Sequence, residues 1–149
     1  FRVKILPELF PGAKIIAVYR NGPSVVSSWG ERSYGFGRPV SWGKEHHKKL
    51  TYKEGIKIFS RKWLETIEYL EECRKEMGFL AVKYDDLTNS TAETLEKVFD
   101  YLELPREDYI YQVRLENQDS KWRKQIPFWY HKFLMQQTQK GREILESVE

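Results

Sequence analysis

The sequence predicts an α/β fold, a parallel sheet flanked by helices, and three observations carry that expectation. Two short runs rich in β-branched and apolar residues, 13–20 and 79–87, have strand length and end in turn signals. Between them, residues 52–77 hold the strongest helical periodicity of the chain. Each predicted strand also passes at once into a helix. The order strand, helix, long helix, strand, helix is that of parallel strands joined by crossovers. Two strands alone make no stable sheet. The chain is therefore expected to form a single α/β domain over 1–149 that is a fragment of a longer one, with further strands supplied from ahead of Phe1.

The first strand contains Ile15, Ile16, Ala17 and Val18 and ends at Arg20. Gly22 and Pro23 follow, and Pro at a first helical position loses no hydrogen bond, so a short helix is expected from Pro23 to about Glu31. Residues 30–51 then lose all periodicity. Gly30, Gly35, Gly37, Pro39 and Gly43 alternate with Trp29, Tyr34, Phe36 and Trp42, and a basic run closes at Lys49. So long an irregular segment reads either as a binding loop or lid or as an excursion with no such role.

In the long helix Ile56, Phe59, Trp63, Ile67, Leu70, Cys73 and Met77 recur at steps of three and four, with Gly78 as the stop. Trp63 and Cys73 read as core residues. The second strand leaves through Tyr84, Asp85 and Asp86, two acids expected to tie a turn. Ser90 and Glu93 have capping-box spacing ahead of a helix carrying Leu95, Val98, Phe99 and Leu102 on one face and ending before Pro105. Residues 106–126 read as irregular. Pro127 opens a last helix with Trp129, Phe133 and Leu134 on one side, weakened at Gly141.

The 149 residues carry a net charge of only +3, which argues against a nucleic-acid partner held by bulk electrostatics; any basic site is local. Aromatic residues make up 15% of the chain, enough for a core and for ring-binding surfaces. One cysteine, Cys73, excludes an internal disulfide, and no apolar run reaches the length of a membrane span. His46 and His47 have no ligand-spaced partner, so no metal is expected.

The junction at residues 14–29, KIIAVYRNGPSVVSSW, carries the most specific chemistry. A helix start offers unpaired N–H groups and the positive end of the dipole. An arginine at the preceding strand end adds a full charge on a planar fork suited to phosphate. Ser24 and Ser28 are four apart and share one face, which Ser27 borders. The pair Arg20 and Ser28 reads as a phosphate clamp, or as an ordinary strand-end arginine and helical serine.

Three segments together resemble the sulfotransferase family. FPGAKIIAVYRNGPSVVSSW is similar to the stretch that holds the 3′-phosphate of the donor 3′-phosphoadenosine 5′-phosphosulfate (PAPS), with a serine eight residues after the arginine. FLAVKYDDLTNSTAETLEKVFDYLELP resembles a second family stretch of strand, Tyr-acid-Asp-Leu turn and helix closing at Leu-x-Leu-Pro. SKWRKQI resembles a third, a basic segment near the nucleotide. They follow the family's order over residues 7–126. The resemblance implies a P-loop-NTPase-like sulfotransferase fold, present here in part, and an enzyme that moves a sulfuryl group from PAPS to a hydroxyl or amine, releasing adenosine 3′,5′-bisphosphate. It implies that Arg20 and Ser28 hold the 3′-phosphate, that Tyr84 lies against the adenine, and that Lys121 and Arg123 approach the nucleotide phosphates. The acceptor is a small molecule or carbohydrate of unread identity, and oligomeric state is not legible.

Two departures accompany the resemblance. The family commonly has Pro directly after Arg-Asn and an acid two positions on; here Gly22, Pro23 and Ser24 stand there, and a cap is expected to be lost. No Gly-, Ser- and Thr-rich loop with a lysine resembles the family's grip on the 5′-phosphosulfate, so that loop and the catalytic base are expected outside the chain. A cytoplasmic location is expected. Two other functions stay open: a kinase-like phosphate-binding domain with a Gly-x-x-x-x-Gly-Lys loop upstream, and a non-enzymatic domain binding a sugar or a partner.

Overall fold

The computed structural model describes residues 3–32, 51–106 and 108–148. The elements are a short helix α1 (Leu6–Leu9), strand β1 (Ile16–Tyr19), helices α2 (Gly22–Arg32) and α3 (Tyr52–Met77), strand β2 (Leu80–Lys83), and helices α4 (Tyr84–Asn89), α5 (Thr91–Leu102), α6 (Trp122–Gln125), α7 (His131–Gln137) and α8 (Gln139–Glu146). Single turns of 3-10 helix lie at Val3–Ile5, Asp108–Gln112 and Phe128–Tyr130. The predicted lid, residues 30–51, falls almost wholly outside the described residues, as do His46 and His47.

The chain divides into two compact units. One comprises Phe1–Arg20, Glu68–Asn117 and Val148–Glu149; the other comprises Asn21–Ile67 and Gln118–Ser147.

The first unit holds the sheet. β1 and β2 are parallel, with Ile16 opposite Leu80 and Tyr19 opposite Lys83, as a crossover connection requires. Both strands are shorter than the sequence predicts. β1 is also less enclosed than expected, because Val18 is 56% exposed while Tyr19 beside it is buried. β2 ends at Lys83, and Tyr84, Asp85 and Asp86 form the first turn of α4 rather than a strand exit. Cys73, Phe79, Val82 and Val148 are buried in this unit.

The expected capping box at Ser90 does not form. Ser90 makes no side-chain cap bond, and Thr91 Oγ1 donates instead to the Leu87 carbonyl at 2.8 Å. α5 ends on Glu103, whose φ of 57° is left-handed; the Leu104 N–H closes the turn on the Phe99 carbonyl. Gly78, with φ of 67°, ends α3 in the same way, and there glycine makes the conformation costless.

The second unit is helical. α3 begins with a capping box that sequence reading missed: the Thr51 hydroxyl accepts the Glu54 N–H at 3.2 Å, and the Glu54 carboxylate accepts the Thr51 N–H at 2.9 Å. Val26, Ile56, Phe59, Trp122, Ile126 and Leu134 form the core, with Trp29 edge-on to Phe59. The predicted last helix is two helices hinged at Thr138, whose hydroxyl returns to the Leu134 carbonyl. Trp129, expected on its apolar side, is 66% exposed, because the residues after Pro127 form a separate 3-10 turn.

Trp63 is 3% exposed and is approached closely by two glycines. A Cβ at Gly141 would lie 2.3 Å from the indole, and one at Gly22 would lie 2.7 Å from it. The flat ring fills the space that both side chains would need. Gly141 therefore does not weaken α8 by accident; the tryptophan demands it. Replacing Gly141 by Ala gains up to about 1 kcal/mol of helix propensity but forces the ring off its rotamer, at a cost of about 1–3 kcal/mol. G141A is expected to lower the thermal midpoint, and combining it with W63L is expected to cost less than the two changes separately. Additive losses in melting experiments would show that the contact is not the cause.

Candidate nucleotide-binding residues

Arg20 follows the last residue of β1, and Tyr84 is the first residue of the helix after β2. The parallel pairing brings these two strand ends together, and the Arg20 guanidinium lies over the Tyr84 ring, 4.6 Å from its centroid. The phenol of Tyr84 donates to the Glu116 carbonyl at 3.3 Å. Asp85 accepts the Asn117 amide at 3.0 Å, and the same amide reaches the Thr88 hydroxyl at 2.9 Å. Asp85, expected to tie the adjacent backbone of a turn, instead sits in the first turn of α4 and accepts from a side chain thirty-two residues away.

Behind Arg20, Tyr19 anchors the strand end. Its phenol donates to Glu71 at 2.9 Å, and Glu71 receives three bonds from Nε and Nη2 of Arg74 on the next turn of α3. Burial first, then the hydrogen bond to Glu71, raises the Tyr19 pKa well above that of a free tyrosine.

Ser28 lies in the second unit on α2, half-buried. The three serines of this helix have different fates. Ser24 is buried and donates to the Asp119 carbonyl at 2.9 Å; Ser27 is buried and donates to the Gln125 side chain at 2.6 Å. Ser28 has no hydrogen bond among the described residues. The helix start is capped after all. The Asn21 side-chain carbonyl accepts the Ser24 N–H at 3.0 Å, and its amide donates to the Asp119 carboxylate.

Lys121 and Arg123 flank Trp122, which is buried while both cations are exposed. The Arg123 guanidinium lies over the Trp122 ring, 4.6 Å from its centroid. The segment carrying them is fastened to α2 by Asn21, Ser24 and Ser27 rather than by Ser28 or the basic residues. Sequence reading missed Asn21 as the cap, although an Asn ahead of Gly-Pro is a recognisable start signal. Nothing local marks Asp119 or Gln125, whose partners lie nearly a hundred residues away.

Among the described residues no group of His, Cys, Asp and Glu could hold a metal ion, and no helix is long and apolar enough to cross a membrane. The sequence pattern of the Sulfotransferase family matches residues 1–108, most of the chain, and so includes β1, α2, β2, Arg20, Ser28 and Tyr84. The protein belongs to the sulfotransferase family. No curated protein matches it.

Two outcomes follow from the fixed side chains. Asn21→Ala removes a cap and leaves the buried Asp119 carboxylate with one partner fewer, a loss of about 1–2 kcal/mol measurable by urea unfolding. The raised Tyr19 pKa means that the unfolded chain ionises first. Its contribution to stability is complete below pH 10 and is lost as pH rises through the folded pKa. Tyr19→Phe should flatten the alkaline fall in stability; an identical fall in the variant would assign it to other groups.

Proposed function

We propose that this protein is a PAPS-dependent sulfotransferase and that the residues described here bind the nucleotide end of the donor. The observation that carries this reading is the contact between Arg20 and Tyr84 at adjacent strand ends. Two residues that the family resemblance assigns to one nucleotide, sixty-four positions apart in sequence, touch one another. Strand carboxyl ends are where open α/β sheets take their ligands.

Arg20 supplies the charge and the donor fork for the 3′-phosphate. Ser28 supplies a hydroxyl that its own helix does not use, at the eight-residue spacing of the family segment. The Tyr84 ring, which the Arg20 guanidinium meets, would lie against the adenine, since a phenol ring can stack on a purine. Lys121 and Arg123 add positive charge for the phosphates. PAPS supplies the sulfuryl group; these side chains give affinity and register, and positioning of this kind is where transfer of a charged group gains most of its rate. The acceptor hydroxyl or amine needs a base, which we assign to residues beyond those described.

A P-loop-NTPase-like sheet belongs to the same proposal, as does a longer sulfotransferase domain. Parallel sheets are normally covered on both faces, and the exposure of Val18 leaves apolar strand surface that further elements would bury. A kinase-like domain would need magnesium for tight nucleotide binding. A purely structural Arg20 would leave affinity for adenosine 3′,5′-bisphosphate untouched.

Calorimetry with adenosine 3′,5′-bisphosphate separates these readings. Arg20→Ala is expected to weaken binding at least tenfold, about 1.4 kcal/mol, and Ser28→Ala less than that, with both proteins folded. Tyr84→Phe keeps the stacking ring and should bind nearly as well as the parent, whereas Tyr84→Ala should not. Unchanged affinity in folded Arg20→Ala defeats the donor-site assignment, and binding that requires magnesium favours the kinase-like alternative.

A further inference from the structure

The positive charge of this chain is concentrated in one place. From Ser120 to Arg142 there are six cations, Lys121, Arg123, Lys124, Lys132, Lys140 and Arg142, and no acid. The rest of the chain, with nineteen cations against twenty-two acids, is net negative. Within this stretch the 3-10 turn Phe128–Tyr130 presents two large rings to solvent. Phe128 is 76% exposed and Trp129 66%. The two rings meet edge to face, 5.1 Å between centroids.

The turn is held firmly from below. Tyr130 stacks on Tyr52 at 5.6 Å and 17°, and a ring nitrogen of His131, Nε2, lies 2.8 Å from the Ile126 carbonyl oxygen. Pro127 and the buried Ile126 and Leu134 fix its two ends. Exposed single apolar residues are ordinary. Two adjacent aromatic rings, on a braced turn and between the exposed cations Lys124 and Lys132, form a surface with a definite complement.

We propose that the Phe128–Trp129 turn, with Lys124 and Lys132 beside it, is a peripheral docking site for an anionic lipid bilayer. Aromatic rings settle at the level of the headgroups, and flanking lysines are drawn to the negative surface. A soluble polyanion would use the cations and leave the rings in water. A second copy of the chain meeting the same face would oppose like charges. The bilayer alone takes both features. Docking here goes beyond donor binding and uses neither Arg20, Ser28 nor Tyr84.

The test is sedimentation of the full chain with vesicles of phosphatidylcholine, with and without phosphatidylglycerol. Binding is expected to vesicles containing phosphatidylglycerol and to weaken with added salt. The double variant F128A/W129A should partition roughly tenfold less, and K124Q/K132Q should partition less with a shallower salt dependence. Affinity for adenosine 3′,5′-bisphosphate should be unchanged in F128A/W129A, which keeps this result separate from the fate of the donor-site reading. The proposal is overturned by failure to bind either vesicle, or by equal partitioning of F128A/W129A and the parent. Retention on a soluble sulfated polymer without vesicle binding would assign the cations to polyanions instead. A dimer by light scattering that F128A/W129A abolishes would assign the rings to self-association.

Discussion

Helix α2 is held at its start by polar groups rather than by apolar packing alone. Asn21 caps it, and Asn21, Ser24 and Ser27 all bond to the segment 119–125. Such bonds contribute about 1 kcal/mol each when made and cost more when one partner is left alone in a buried site. Because Ser24, Ser27 and Asp119 are all buried, the fastening works only as a set. It fixes the rotation of α2 about its axis. That rotation decides which serine keeps an open hydroxyl, and among the described residues the one that does is Ser28.

A similar logic operates at the end of β1. Arginine is a long, mobile side chain, and the phosphate site proposed here needs it to arrive in one place. Tyr19 supplies the restraint on the backbone through Glu71 and Arg74, while the Tyr84 ring supplies it on the guanidinium. One restraint acts on the chain and the other on the side chain, so the guanidinium is placed from both ends.

How far the sequence revealed this depends on the range of the interaction. α3 was legible to the residue, because twenty-six positions of 3.6-residue periodicity outweigh any local noise. The parallel pairing followed from the order of elements. Short-range chemistry misled at two points. Ser90 and Glu93 have the spacing of a capping box, but the Thr91 hydroxyl and the turn of α4 claim the local backbone first. Tyr84, Asp85 and Asp86 looked like a strand exit because the strand signal of FLAVK ran on into residues that are neutral between states. At the site, Arg20 was readable as the residue that leaves β1, and the order of elements brought it beside the end of β2, where Tyr84 opens α4. Ser24 was paired with Ser28 by helical spacing, yet its partner is Asp119, and no periodicity in α2 can report a residue ninety-five positions away.

The indole of Trp63 has a consequence for how this chain can change over time. Any residue with a Cβ at position 22 or 141 would put that atom in space the ring already fills, and at position 22 against the Thr138 methyl group as well. Position 63 therefore has to shrink before position 141 can gain a side chain, and both 63 and 138 have to give way before position 22 can. The order of steps is constrained even where each end state is stable. The start of α2 and the indole packed against it change together or not at all.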